Sequence, residues 1–255
     1  TVKCPEALKG GLDRTLMETI AARHPSAVSL LRTQYRMNDV IMRFSSECFY
    51  DGKVESAPEV KYRGILDWDT PMEWIDTADE EQTAPYLTEE PSGAVCAPAL
   101  PAVKVPDFGE TRNPDSTRAA GMIGALNILK AYFQKIGKER ILAERIDTGI
   151  ISPYKGQVQL LRALLRRDAF FKPYRHLLSV NTVDGFQGQE RDVILISLVR
   201  SNENGQIGFL HDLRRMNVAI TRARMKLILV GNSHTLCRTP FYKLLHGYIK
   251  SLDAQ

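Results

Sequence analysis

Three short polar segments hold the residue types from which chemistry is made. In Gln34-Tyr35-Arg36-Met37 a flat ring stands beside a permanently charged, forked guanidinium. That pair suits a nucleotide, with the ring against the base and the fork on a phosphate. A surface tyrosine beside a salt-bridged arginine has the same signature, so the pair alone decides nothing. In Val183-Asp184-Gly185-Phe186-Gln187-Gly188-Gln189-Glu190 two glycines allow close backbone approach, while Gln187 and Glu190 can bond hydroxyls or phosphates. A plain glycine turn before a strand reads equally well. The third segment, Arg214 to Arg224, is rich in arginine and is read as a helix leading into the last strand. Seven-residue spacing then puts Arg215 and Arg222 on one face and Asn217 and Arg224 on another. One ligand is not expected to hold both Arg222 and Arg224. Met216, Ile220 and Ala223 form the buried stripe of this helix. One arginine face is free to reach a cleft, as when an arginine from one domain serves a phosphate held by another.

The elements around these segments alternate in type. A helix capped by Asn38 or Asp39 runs to about Tyr50, and residues 58–76 have apolar positions enough for one or two strands. A long helix starts near Asp115 or Ser116. Then follow a strand at 148–151, a helix at 157–167, strands at 177–183 and 192–199, a helix at 210–224, a strand at 226–230 and a helix at 242–252. Apolar strands alternating with helices imply a parallel sheet covered on both faces. Ligands of such sheets sit at the carboxyl ends of the strands, and all three polar segments are expected there.

Of the 255 residues, 44% are hydrophobic and 25% charged, which excludes collagen-like, disordered and disulfide-scaffold classes. No apolar run is long enough for a membrane span. Four widely spaced cysteines and five histidines without ligand spacing give no zinc site or disulfide framework, and suit a reducing cytoplasmic compartment. Residues 60–115 hold four Lys/Arg against twelve Asp/Glu, so the remainder of a chain of net charge +4 carries +12. A basic body fits a phosphate-rich partner. The stretch 77–115 is acidic early, holds six prolines and shows no sustained period, which predicts a peripheral loop. With Thr1 in first place, the chain reads as a piece of a longer protein.

Together, QYRM at 34–37, VDGFQGQE at 183–190 and RRMNVAITRAR at 214–224 resemble motifs IV, V and VI of superfamily 1 helicases, in the branch of the nonsense-mediated-decay helicase. Ser152-Pro153-Tyr154-Lys155-Gly156-Gln157 resembles a nucleic-acid-contacting segment of that branch, and order and spacing agree from about Leu30 to Ser233. The resemblance implies an α/β, RecA-like fold of the P-loop NTPase type, a mostly parallel sheet with helices on both faces. Residues 1–27 would then be a lead-in from a preceding motor domain and 28–255 the second RecA-like domain, with an insertion at 77–115. By the same resemblance Tyr35 stacks on adenine, and Arg36 and Arg222 act as arginine fingers on the γ-phosphate. Glu190, with Gln34 and Arg215, touches the rest of the nucleotide. Ser152, Tyr154, Gln157, Thr182 and Gln187 meet single-stranded DNA or RNA.

The departures are as informative. No GxxxxGK[ST] and no Walker B carboxylates occur. ATP and its Mg²⁺ would therefore be held chiefly by a first RecA-like domain outside this chain, and the chain alone is expected to be inactive. The alternative is a stand-alone nucleic-acid-binding or regulatory module without ATPase activity. Nothing in the residues distinguishes DNA from RNA.

Overall fold

The computed structural model describes residues 4–10, 15–78, 116–198 and 207–253. From residue 79 to 115 the proline-rich segment lies outside the described residues. At its centre stands a five-stranded sheet of β3 (Met72–Asp76), β4 (Thr148–Ile151), β5 (Leu178–Asn181), β6 (Arg191–Leu198) and β7 (Ala223–Gly231). Their spatial order is β3-β7-β6-β4-β5 and every pairing is parallel. Two further strands, β1 (Thr33–Gln34) and β2 (Glu55–Ser56), pair in parallel away from this sheet.

β6 is buried along nearly its whole length, as an interior strand covered on both faces must be. One face carries the helices Ser116–Ile136, Lys138–Glu144 and Lys155–Arg167, packed through Leu129, Phe133, Ile141, Leu161 and Phe171. The other carries Asp39–Phe49, Leu213–Ile220 and Pro240–Leu252, packed through Ile41, Phe44, Met216, Ile220, Tyr242 and Leu245. This is the expected RecA-like α/β sheet with helices on both faces.

Residues 58–76 give one strand, within the expected one or two, preceded by a short Pro58–Lys61 helix. One expectation needs correction. The helix read as 210–224 spans only Leu213–Ile220. The helix ends at its cap Thr221, whose hydroxyl and backbone N–H both turn back onto Asn217 O (2.8 and 3.0 Å) before the chain leaves for β7. Arg222 therefore lies in a turn and Arg224 on β7, so the helical-face relation of Arg222 to Arg215 does not hold.

Candidate functional site

The arginines gather at the amino ends of β6 and β7. Gln34 builds the first part of that site. Its Oε1 accepts from Arg36 N and Met37 N (2.7 and 2.9 Å), while Nε2 donates to Met37 O and Ser56 Oγ (2.7 and 2.8 Å). Both ends of the amide are used to fold the turn, so Gln34 shapes the loop from within. Asn38 then caps the Asp39–Phe49 helix and fixes it to the sheet, its backbone N–H donating to Arg224 O at 2.8 Å. The turn leaves Tyr35 with 68% of its surface exposed, an aromatic face without cover.

Arg36 reaches inward. Its Nε donates to Glu190 Oε2 at 2.5 Å and its Nη1 to Thr221 O at 3.2 Å. Arg222 comes to the same place from the turn after the Leu213–Ile220 helix, donating to Val218 O (2.9 Å) and Gln189 O (3.0 Å). Burial, and then the positive charge of Arg36, pull the Arg222 guanidinium below its ordinary range, with Glu190 opposing. Two cations from distant parts of the chain are thus close enough to repel, and Glu190, paired with Arg36, partly offsets the repulsion.

Arg224 completes the cluster, and the sequence reading placed it elsewhere. Between β6 and β7 the register slips: Arg191 pairs with Ala223 but Val193 with Lys226. Arg224 and Met225 therefore stand against Asp192 alone, a bulge that re-aims the Arg224 side chain. Its guanidinium lies 3.6 Å from Glu190, 2.8 Å from Asp192 and 3.5 Å from Asp147. The Asp192 Oδ1 contact is an ion pair without hydrogen-bond alignment. Asp147 and Asp192 are also laced together, each carboxylate accepting the other's backbone N–H (3.2 and 2.7 Å). Burial raises the Asp192 carboxyl above its ordinary value, against the lowering by the Asp147 backbone N–H and the Arg224 charge, while the Asp147 carboxylate adds to the rise. Arg222 and Arg224 so reach adjacent residues, Gln189 and Glu190, contrary to the expectation that they point apart. No helical spacing signals this, since it depends on the helix end at Ile220 and on the bulge.

Of the remaining candidates, Ser152, Tyr154, Gln157 and Thr182 lie at the opposite, carboxyl end of the sheet, while Gln187 follows Phe186 on the way to β6. The three polar segments are therefore not all at that end, as expected from the sheet type. Ser152 and Gln157 are buried there, hydrogen-bonded to each other, and Gln157 Nε2 donates to Ser197 Oγ at 3.0 Å. Their side chains tie the ends of β4 and β6 together. Tyr154 and Thr182 are half-buried beside them, and Gln187 is exposed. Arg215 belongs to this end too, 3.6 Å from Asp184 and 3.5 Å from Asp212, and lines a small hollow with Pro153 and Thr182. The structure separates it from the Arg36–Glu190 cluster.

One stretch of chain joins the two ends. From Thr182 to Glu190 it leaves β5, crosses over β4 and enters β6 at its start. The crossing point is Phe186, 1% exposed, seated on Gly149 of β4. A Cβ at Gly149 would meet Ile194 Cδ1 at 2.7 Å and Phe186 Cε1 at 2.9 Å, so only glycine leaves the space. Gly188, at φ +78°, turns the chain toward Glu190 in a conformation that favours glycine.

Among the described residues no group of three or more His, Cys, Asp or Glu could hold a metal ion, and no helix is long and apolar enough to cross a membrane.

A five-stranded parallel sheet with helices on both faces defines a RecA-like α/β domain. A family profile described as an AAA domain matches residues 12–234, and the chain belongs to that family. It is 34% identical over 244 residues to an uncharacterized ATP-dependent helicase of Methanocaldococcus jannaschii, covering 96% of this chain and 32% of that protein. To the DNA-binding protein SMUBP-2 of Rattus norvegicus it is 35% identical over 246 residues, 95% of this chain and 22% of the relative. The DNA replication ATP-dependent helicase/nuclease DNA2 of Homo sapiens is 34% identical over 249 residues, 94% and 22% of the two chains. The chain thus spans at most a third of the length of these relatives.

Proposed function

We propose that this chain is the second motor half of an ATP-dependent DNA or RNA helicase. Arg36 and Arg222 serve the γ-phosphate, Tyr35 stacks on the adenine, and Glu190 meets the ribose side of the nucleotide. The lysine and the Mg²⁺ ligands of the phosphate site come from another domain of the same polypeptide. When bound, Mg²⁺ would neutralise phosphate charge there, and this chain's part is to add arginine charge from the opposite wall. Single-stranded nucleic acid runs over the carboxyl end of the sheet, against Tyr154 and Thr182, and reaches Gln187 along the connection to β6. Ser152 and Gln157 hold that surface in shape from beneath.

The observation that carries this reading is that Arg36 and Arg222 come together beside Glu190, Arg36 pairing with its carboxylate at 2.5 Å and Arg222 donating to the carbonyl of the preceding Gln189 at 3.0 Å. Like charges held together in the free site are what an incoming polyphosphate relieves. The exposed ring of Tyr35, the residue before Arg36, supplies the sequence-tolerant stacking surface that a base needs.

Steady-state kinetics of the full-length protein tests the assignment. Arg36→Ala or Arg222→Ala should lower kcat by about 10³–10⁵ while nucleotide affinity changes far less. Tyr35→Ala should instead chiefly raise KM, because stacking is made equally in ground and transition states. This chain by itself should release no phosphate. An Arg222→Ala enzyme with unchanged kcat and raised KM would remove the finger role.

A further inference from the structure

A second basic surface lies outside both ends of the sheet. Along the outer side of β5, the last strand on that side of the sheet, runs an open groove of about 500 Å³. Arg162, Arg166 and Arg175 line it, with Ser179, Asn181 and Gln189. The chain that supplies the arginines is strongly basic: residues 155–176 hold six Lys/Arg and a single acidic residue, Asp168. The Asp168 carboxylate is engaged locally, accepting from Phe170 N at 2.8 Å.

What such a groove takes depends on the strand edge. Leu177 O and Asn181 O accept from Thr148 N and Ser152 N on the β4 side, so Val180 O, of opposite parity, points outward. That carbonyl is already covered by the Arg162 fork, at 3.0 Å from Nε and 2.7 Å from Nη2. An edge blunted in this way does not recruit a further strand. An anion is the better occupant. Arg175 donates to Arg166 O, which holds the two guanidinium-bearing residues together across a helix end. Arg191 braces the lining residues Ser179 and Gln189 from behind, its Nε on Ser179 Oγ at 3.1 Å and its Nη2 on Gln189 Oε1 at 3.0 Å, while it also lies 3.9 Å from Asp147. The groove also runs alongside the Thr182–Gln189 connection, since Asn181 at one end donates to Gly185 O and Gln189 stands at the other.

We propose that this groove binds the phosphate backbone of nucleic acid, carrying the strand down the outer edge of β5 beyond the Tyr154–Thr182 surface. The inference rests on the nucleic-acid reading above and adds a site to it, with Arg166 and Arg175 as the phosphate contacts. Arginine forks bind phosphate oxygens bidentately without reading sequence.

The test is a fluorescence titration of labelled single strands at several salt concentrations, on the full-length protein and on an Arg166→Gln/Arg175→Gln double variant of it. Gln keeps polar bulk, and an unchanged melting temperature establishes that the variant folds. Loss of two phosphate contacts should lower the slope of log K against log salt by about 1.4, at about 0.7 per phosphate of a single strand. An Arg166→Lys/Arg175→Lys protein should keep the slope. If the wild-type protein binds strands with a steep slope and the Gln variant matches it, the groove proposal fails and the nucleic-acid reading stands. If the wild type shows no salt-dependent binding at all, both fail. Poly-glutamate binding more tightly than a strand of equal charge would assign the groove to an acidic peptide and overturn the proposal.

Discussion

Arg224 reaches three carboxylates, and the buried one governs what its loss would do. Asp192 has 8% of its side chain exposed and faces Asp147 as well. Removing the guanidinium in Arg224→Ala leaves that carboxylate without its positive partner, which for a partly buried pair costs about 2–3 kcal/mol. Asp192→Asn should cost much less at neutral pH. The sign follows from its raised pKa: a carboxyl held above its unfolded value favours the fold below that value, and this contribution is lost as pH rises through the folded pKa. At pH 7 the ionised group is a burden that Arg224 offsets. Urea denaturation of the two variants should give this order, and an Asp192→Asn loss as large as that of Arg224→Ala would contradict it. Arg224 also holds Glu190 from behind while Arg36 holds it from the front, so the carboxylate has two cationic neighbours in place before any nucleotide arrives.

Strands and helices fix these residues through contacts that act over one or two side chains. The seat of Phe186 on Gly149 makes the connection from β5 to β6 possible. Gly149→Ala would place a methyl group in an occupied space, and such overpacking costs about 1–3 kcal/mol. Phe186→Leu in the same chain should recover part of that loss, and a double-mutant cycle measures the coupling. Strict additivity would show that the ring moves aside freely. β3, at the other margin of the sheet, depends on Lys226 of β7, which is 2% exposed. Its Nζ lies 2.9 Å from Asp69 and 3.1 Å from Glu73. Burial would raise Asp69, but the Lys226 charge and hydrogen bond outweigh it, and the carboxyl sits below its ordinary range. Its contribution is present above the unfolded carboxylate value and is lost as pH falls through the folded one. Lys226→Met should cost about 3–5 kcal/mol at neutral pH and flatten the fall in stability between about pH 5 and pH 2. Acid titration of the urea midpoint in both proteins checks this, and parallel curves would count against it. Much of this level was legible in the chain, since continuous apolar runs such as 192–199 betray interior strands and capping residues such as Asn38 betray helix starts. The end of the Leu213–Ile220 helix was not, because no glycine or proline announces the cap at Thr221. Nor was the bulge that brings Arg224 into the site, which exists only once β6 and β7 are paired.

Across the whole molecule the sheet keeps its two kinds of site at opposite ends. Arginines and Glu190 stand at the amino ends of β6 and β7, while Tyr154 and Thr182 belong with the carboxyl ends of β4 and β5. Sequence order concealed this, because Thr182 and Glu190 are eight positions apart and read as one motif. A single loop at one strand end was the natural reading. The connection instead spans the thickness of the domain, with Phe186 clamped midway and a helical turn at Asp184–Phe186 stiffening one half. A rod pinned near its centre behaves as a rocker: a push on one arm appears at the other with its direction reversed. Movement at Thr182 of this kind would swing Glu190 against its two arginines without unfolding an element or rotating a domain. The lever arm would be set by covalent geometry, and its friction by the clearance around one phenyl ring.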